Sequence, residues 1–168
     1  MCVSACLLGE RCKYNGGDNL APGLAEALAR GGHEVVAVCP EMAGGLGCPR
    51  PPAEIRDGRV VTREGADVTA AFQAGVTRSL EQLGLAGLPG HSGRPGHLCD
   101  CAILQPRSPS CGVGRIYDGT FSGRLIPGNG LFAQALIDRG IPVHPWDKGD
   151  SLLCPTLDPP LRPHVSKR

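Results

Sequence analysis

Four brief apolar runs set the frame for this chain: Val3 to Leu7, Glu34 to Cys39 ("EVVAVC"), Cys101 to Leu104 and Ile141 to His144 ("IPVH"). Runs so short and so continuously apolar fit strands covered on both faces, the habit of parallel sheets. The segments between them read as helices. "LAPGLAEALARGG" carries Leu20, Leu24, Ala27 and Leu28 at helical spacing and stops at a glycine pair. Asp67 to Leu85 opens on a capping Asp and lines Val68, Ala71, Phe72, Val76, Leu80 and Leu83 along one face. Asn129 to Arg139 makes a third helix, ended by Gly140. Strands alternating with helices predict an α/β fold, a mainly parallel sheet flanked by helices in a Rossmann-like arrangement. Ile55 to Thr62 holds a D-G turn and predicts a small β-hairpin outside that sheet.

With 168 residues, the chain is expected to be one domain over 1–168. Gly and Pro content marks an insertion loop at about 86–100, and a flexible tail is expected over about 157–168. Seventeen basic against sixteen acidic side chains leave a net charge of +1, too little field to steer a polyanion. Tight nucleic-acid binding is therefore not indicated. No stretch has the apolar length of a membrane span, and the first residues lack the charged-then-apolar order of a signal peptide. A cytoplasmic location is expected.

That location bears on the nine cysteines. Their number is odd and the expected compartment is reducing, so metal binding or catalysis fits them better than a disulfide framework. Cys6 and Cys39 fall at the carboxyl ends of the first two expected strands, and Cys111 follows the third in "ILQPRSPSCGVG". Ligands of open parallel sheets bind beyond the carboxyl ends of the strands, so these three cysteines are predicted to share one crevice. Three thiolates brought singly to one place can hold Zn²⁺ or an iron–sulfur cluster. Paired zinc-knuckle spacings and ferredoxin-type runs are both absent, which favours a cluster or a catalytic metal. Each cysteine alone also reads as a small buried apolar residue.

Glu41 follows Cys39 by two residues, so its carboxyl is expected beside any such centre, where it can exchange protons. It reads equally as a loop carboxylate paired with Arg50. Ser108 and Ser110 bring hydroxyls near Cys111, though serines are also common turn residues.

Taken together, "VSACLLGERCKYNGG", "VCPEMAGGL…PRPPAEI", "SPSCG…IYDGTFSGRLIPGNGLFAQAL" and the closing "GIPV" resemble the thiouracil desulfurase (desulfidase) family, formerly a bacterial domain of unknown function. The resemblance spans about Val3 to Val143 in the family's order. It implies an α/β protein carrying a [4Fe–4S] cluster on three cysteines, the fourth iron left open for the substrate's sulfur. On these positions it makes Cys6, Cys39 and Cys111 the ligands and gives Glu41 the proton-transfer role. A serine of "SPSC" assists, with Ser108 preferred over Ser110. Cys12 also matches a family cysteine, as a neighbouring thiol or as a ligand in place of Cys39. The implied reaction is non-redox desulfuration of a small thiolated nucleobase or nucleoside such as 2-thiouracil, by a monomer or small homo-oligomer.

The chain departs from the family's G-L-P-T-P-R-P-P by reading "GLGCPRPP", which puts Cys48 near the site, where it would block the open iron if it reached it. The insertion adds His91, His97 and Cys99, as a cover for the crevice or as plain loop. Cys2, Cys99, Cys101 and Cys154 are expected in the core or loops. Two other readings stay open: a cysteine-nucleophile persulfide or thiol enzyme using Cys111 with Arg107 as the activating cation, and a zinc-stabilised binding module.

Overall fold

In the computed structural model, which describes residues 1–86 and 99–146, strand β1 (Cys2–Ser4) is fully buried and hydrogen-bonded on both sides. On one side it pairs with β2 (Val36–Val38) and on the other with β5 (Ala102–Leu104), both in parallel. β8 (Val143–Pro145) adds beyond β5, giving the order β2-β1-β5-β8. The chain moves outward from β1 to β2, then returns to place β5 on the opposite side of β1. That reversal is the point where open α/β sheets bind their ligands.

Side chains alternate across the strands, and each set meets a different layer. Cys2, Val38, Ala102 and Leu104 pack against Leu80 and Leu83 from α3 (Thr69–Gln82) and its end, and against Phe132 and Leu136 from α4 (Leu131–Ile137). Val3, Cys101 and Ile103 face the other way, onto Leu7 and onto Leu24 and Leu28 of α1 (Leu24–Arg30). The result is helices on both faces of a parallel sheet. Burying a side chain such as Phe132 contributes about 1.5–3 kcal/mol.

The first apolar run divides. Its strand ends at Ser4, and Ala5–Leu8 winds into a 3₁₀ turn closed by Gly9 at φ +93°. Leu7 is buried because that turn packs on α1, not because the strand continues. α1 begins at Leu24, leaving Leu20 exposed. α3 begins at Thr69, with Val68 at the capping position and Asp67 accepting the Thr69 N–H at 2.9 Å. The expected hairpin is present as β3 (Ala53–Arg56) and β4 (Arg59–Thr62). A second one, β6 (Arg115–Tyr117) with β7 (Leu125–Pro127), lies inside the stretch that follows Cys111.

The short helix α2 (Pro40–Ala43) directly follows β2 and carries Glu41 in its first turn. Pro40 stands at its first position, where the missing N–H costs no bond. α2 meets α3 backbone to backbone. A Cβ on Gly75 would fall on the Pro40 carbonyl, and one on Gly44 would fall on the Ala71 carbonyl. Most of the 86–100 insertion (His91 and His97 included), the 157–168 tail and Cys154 lie outside the described residues. No helix among the described residues is long and apolar enough to cross a membrane.

Candidate active site

The carboxyl ends of β1, β2 and β5 open into a cleft of about 560 Å³. Cys6, Cys12, Cys39, Glu41, Ser108, Ser110 and Cys111 all line it, so the residues singled out in the sequence do converge. Cys6 enters from the 3₁₀ turn after β1, Cys39 as the residue between β2 and α2, and Cys111 from the loop after β5. Cys6, Cys12 and Cys111 are buried, and Cys39 is half-buried.

The loop after β5 is fixed from three directions. Gln105 donates its N–H to the Ser4 hydroxyl at 3.0 Å, tying the end of β5 to the end of β1. The Ser108 hydroxyl accepts the N–H groups of Ser110 and Cys111, at 3.1 and 3.0 Å. The Ser110 carbonyl accepts the N–H groups of Phe132 and Ala133 at the start of α4. Gly130 is needed there, since a Cβ would stand 2.5 Å from the Ser110 carbonyl oxygen.

This packing dictates where the serine protons point. With its oxygen occupied by two N–H donors, Ser108 turns its own hydrogen to the Ser110 oxygen, 2.8 Å away. Ser110 then donates to Glu41 Oε1 at 2.9 Å. Of the two serines, Ser110 touches the carboxylate and Ser108 orients it. The other oxygen of Glu41 belongs to Arg50, whose Nε and Nη2 approach Oε2 at 2.8 and 2.6 Å. Glu41 is thus both paired with Arg50 and turned to the cleft, the two readings the sequence left open.

Cys12 lies against the thiols of both Cys6 and Cys39. The Cys39 thiol pulls the Cys12 pKa down, but Cys6 and burial outweigh it and leave Cys12 at about 11. The Cys39 thiol is raised by Cys12 and by burial. Burial pushes Cys111 up to about 12, against the hydroxyls of Ser4 and Ser110 that favour its thiolate. Arg107, at φ +66° on the exposed rim, does not offset that burial. A nucleophilic cysteine is helped by a depressed pKa, and burial works the other way at Cys111.

Among the described residues, no three His, Cys, Asp or Glu side chains gather closely enough to hold one metal ion. A multi-iron cluster spreads its thiolate ligands further apart, and soft sulfur donors ranged around a roomy cleft fit one. Cys48 is not part of the lining. Its thiol donates to the carbonyls of Arg11 and Lys13 at 3.1 and 3.2 Å, holding two loops together. Cys2, Cys99 and Cys101 are buried core residues, as expected.

Several lining residues were not anticipated from the sequence. Ser4 bonds towards both Gln105 and Cys111. Tyr117 and Phe121 from the second hairpin also line the cleft, with the Arg63 guanidinium 5.5 Å from the Phe121 ring centroid. Glu54 accepts the Phe121 N–H at 3.0 Å. An aromatic and cationic wall of this kind suits a flat, polar ring.

The family model for 2-thiouracil desulfurase matches residues 1–147. The chain belongs to that family. It is similar to the uncharacterized protein YbbK of Bacillus subtilis (strain 168), at 34% identity over 151 residues, 84% of this chain and 91% of the relative. Its fold is similar to that of a solved [4Fe-4S]-dependent thiouracil desulfidase, TudS, with a TM-score of 0.71 and 40% identity. That likeness covers 86% of this chain and 89% of the other.

Proposed function

We propose that this family member is a [4Fe–4S]-dependent enzyme that removes sulfur from a thiolated pyrimidine such as 2-thiouracil, giving the oxo compound and sulfide. One observation carries the reading: Cys6, Cys39 and Cys111 meet Glu41 and Ser110 in a single cleft at the reversal of the sheet. Cys6, Cys39 and Cys111 would hold the cluster, with one iron free of protein ligands. Cys12 stands beside two of them, and Cys48 is turned away. When bound, the cluster supplies a soft Lewis acid able to take a thione sulfur.

The chain's own residues supply the rest. Tyr117 and Phe121 offer aromatic faces for the pyrimidine. Glu41 takes a proton from the water that adds to the thiocarbonyl carbon. The Ser108–Ser110 chain keeps that carboxylate aimed as the proton arrives. As the C–S bond breaks, the protonated Glu41 returns the proton towards the departing sulfur. One C=S bond and one water become one C=O bond and one H₂S, so no electrons need to come or go. No step needs a preformed thiolate from a cysteine nucleophile.

The test is product analysis. Protein purified without oxygen and incubated with 2-thiouracil should give uracil and sulfide in equal amounts, with no added reductant. Uracil without sulfide, or no reaction with any thiopyrimidine, would remove the reading.

A further inference from the structure

Arg50 lines the cleft with its side chain only 8% exposed, and its guanidinium is fully committed. Nε and Nη2 both reach Glu41 Oε2, at 2.8 and 2.6 Å. Nη2 also donates to the Cys12 carbonyl at 2.9 Å and Nη1 to the Gly47 carbonyl at 3.1 Å. Its backbone N–H donates to the Tyr14 carbonyl at 2.7 Å. One side chain therefore joins the loop that carries Cys12, the loop before β3 and the carboxylate in α2.

The two carboxylate oxygens are not equivalent in this arrangement. Oε2 is saturated by two charge-assisted bonds, while Oε1 receives only the Ser110 hydroxyl. Two N–H groups of a planar guanidinium that is itself held by carbonyls can fix where Oε2 sits and leave Oε1 to Ser110. An ammonium is a point charge and cannot.

Resting on the desulfidase reading, we propose that Arg50 is a positioning residue of the reaction: it immobilises Glu41 so that Oε1 alone faces Ser110 and the substrate. The Cys48 thiol already clips Arg11 and Lys13 to the same loop, so the loops have a second tie that does not involve Arg50. Arg50 is thereby free to serve the carboxylate rather than only the fold.

The experiment is a double-mutant cycle with a structural readout. Arg50→Lys protein should keep its iron and acid-labile sulfide and unfold near the wild-type temperature. Its kcat should fall by about 10- to 100-fold, the size expected of a misplaced catalytic group, with KM nearly unchanged. In a Glu41→Gln background the same substitution should change kcat by less than about twofold, because Arg50 would act only through that carboxylate. A crystal structure of Arg50→Lys protein should show the Ser110–Glu41 bond broken. Equal losses in both backgrounds, a loss of cluster or fold on Arg50→Lys, or a carboxylate that stays on Ser110 would each overturn the proposal. The crystal structure decides it even if no thiopyrimidine is turned over. Failure of the wild-type protein to release sulfide would count against the functional reading alone.

Discussion

In the proposed reaction the proton passes through one carboxylate, that of Glu41. Glu41 is held between Arg50 and Ser110 with no freedom to turn, and it shares the cleft with Cys39 and Cys111. Glu41→Gln keeps the shape but offers its one oxygen to Arg50 or to Ser110, not to both, and it cannot take a proton. General acid–base assistance is worth about 10²–10⁴ in rate, so sulfide release should slow by that factor while cluster content and thione binding persist. Near-normal release from a fully loaded variant would take Glu41 out of the mechanism. At this scale much was legible beforehand, because Glu41, Ser108 and Ser110 each sit within three residues of a cysteine. Their hydrogen-bond order was not, since it depends on the N–H groups of Ser110 and Cys111 occupying Ser108. The position of Cys48 was also hidden, for nothing in "GLGCPRPP" says which way its thiol turns.

Among the elements, α2 positions Glu41 and was missed in the sequence. Four residues are too few for a helical period, and the only signals are Pro40 at its start and the glycines after Ala43. Its place is set by contact with α3 through Gly44 and Gly75. Gly75→Ala puts a methyl group where the Pro40 carbonyl lies, so α2 has to shift. Overpacking of that kind costs typically about 1–3 kcal/mol, and Glu41 should move with the helix. The expected outcome is a lower urea midpoint together with a lower kcat. A variant with the wild-type midpoint and wild-type kcat would mean that α2 is not anchored there. The long helix α3 and the sheet strands were plain by contrast. Apolar residues at helical spacing and continuous apolar runs both report burial directly. Leu7 misled because it is buried by helix packing instead of by strand pairing.

Across the whole molecule, the order β2-β1-β5-β8 turns three cysteines, up to 105 residues apart in sequence, into neighbours of one cleft. Their convergence could be foreseen from the strand ends alone. The aromatic lining could not: Tyr117 and Phe121 reach the cleft through a second hairpin whose strands are three residues each. The cleft is proposed to hold an iron–sulfur cluster on Cys6, Cys39 and Cys111, with Cys48 left out of it. The iron and acid-labile sulfide content of proteins purified without oxygen decides it. About four irons and four sulfides per chain are predicted for the wild type and for Cys48→Ser, and almost none for Cys6→Ser, Cys39→Ser or Cys111→Ser. Zinc in place of iron in the wild type, or an iron-free Cys48→Ser protein, would contradict it.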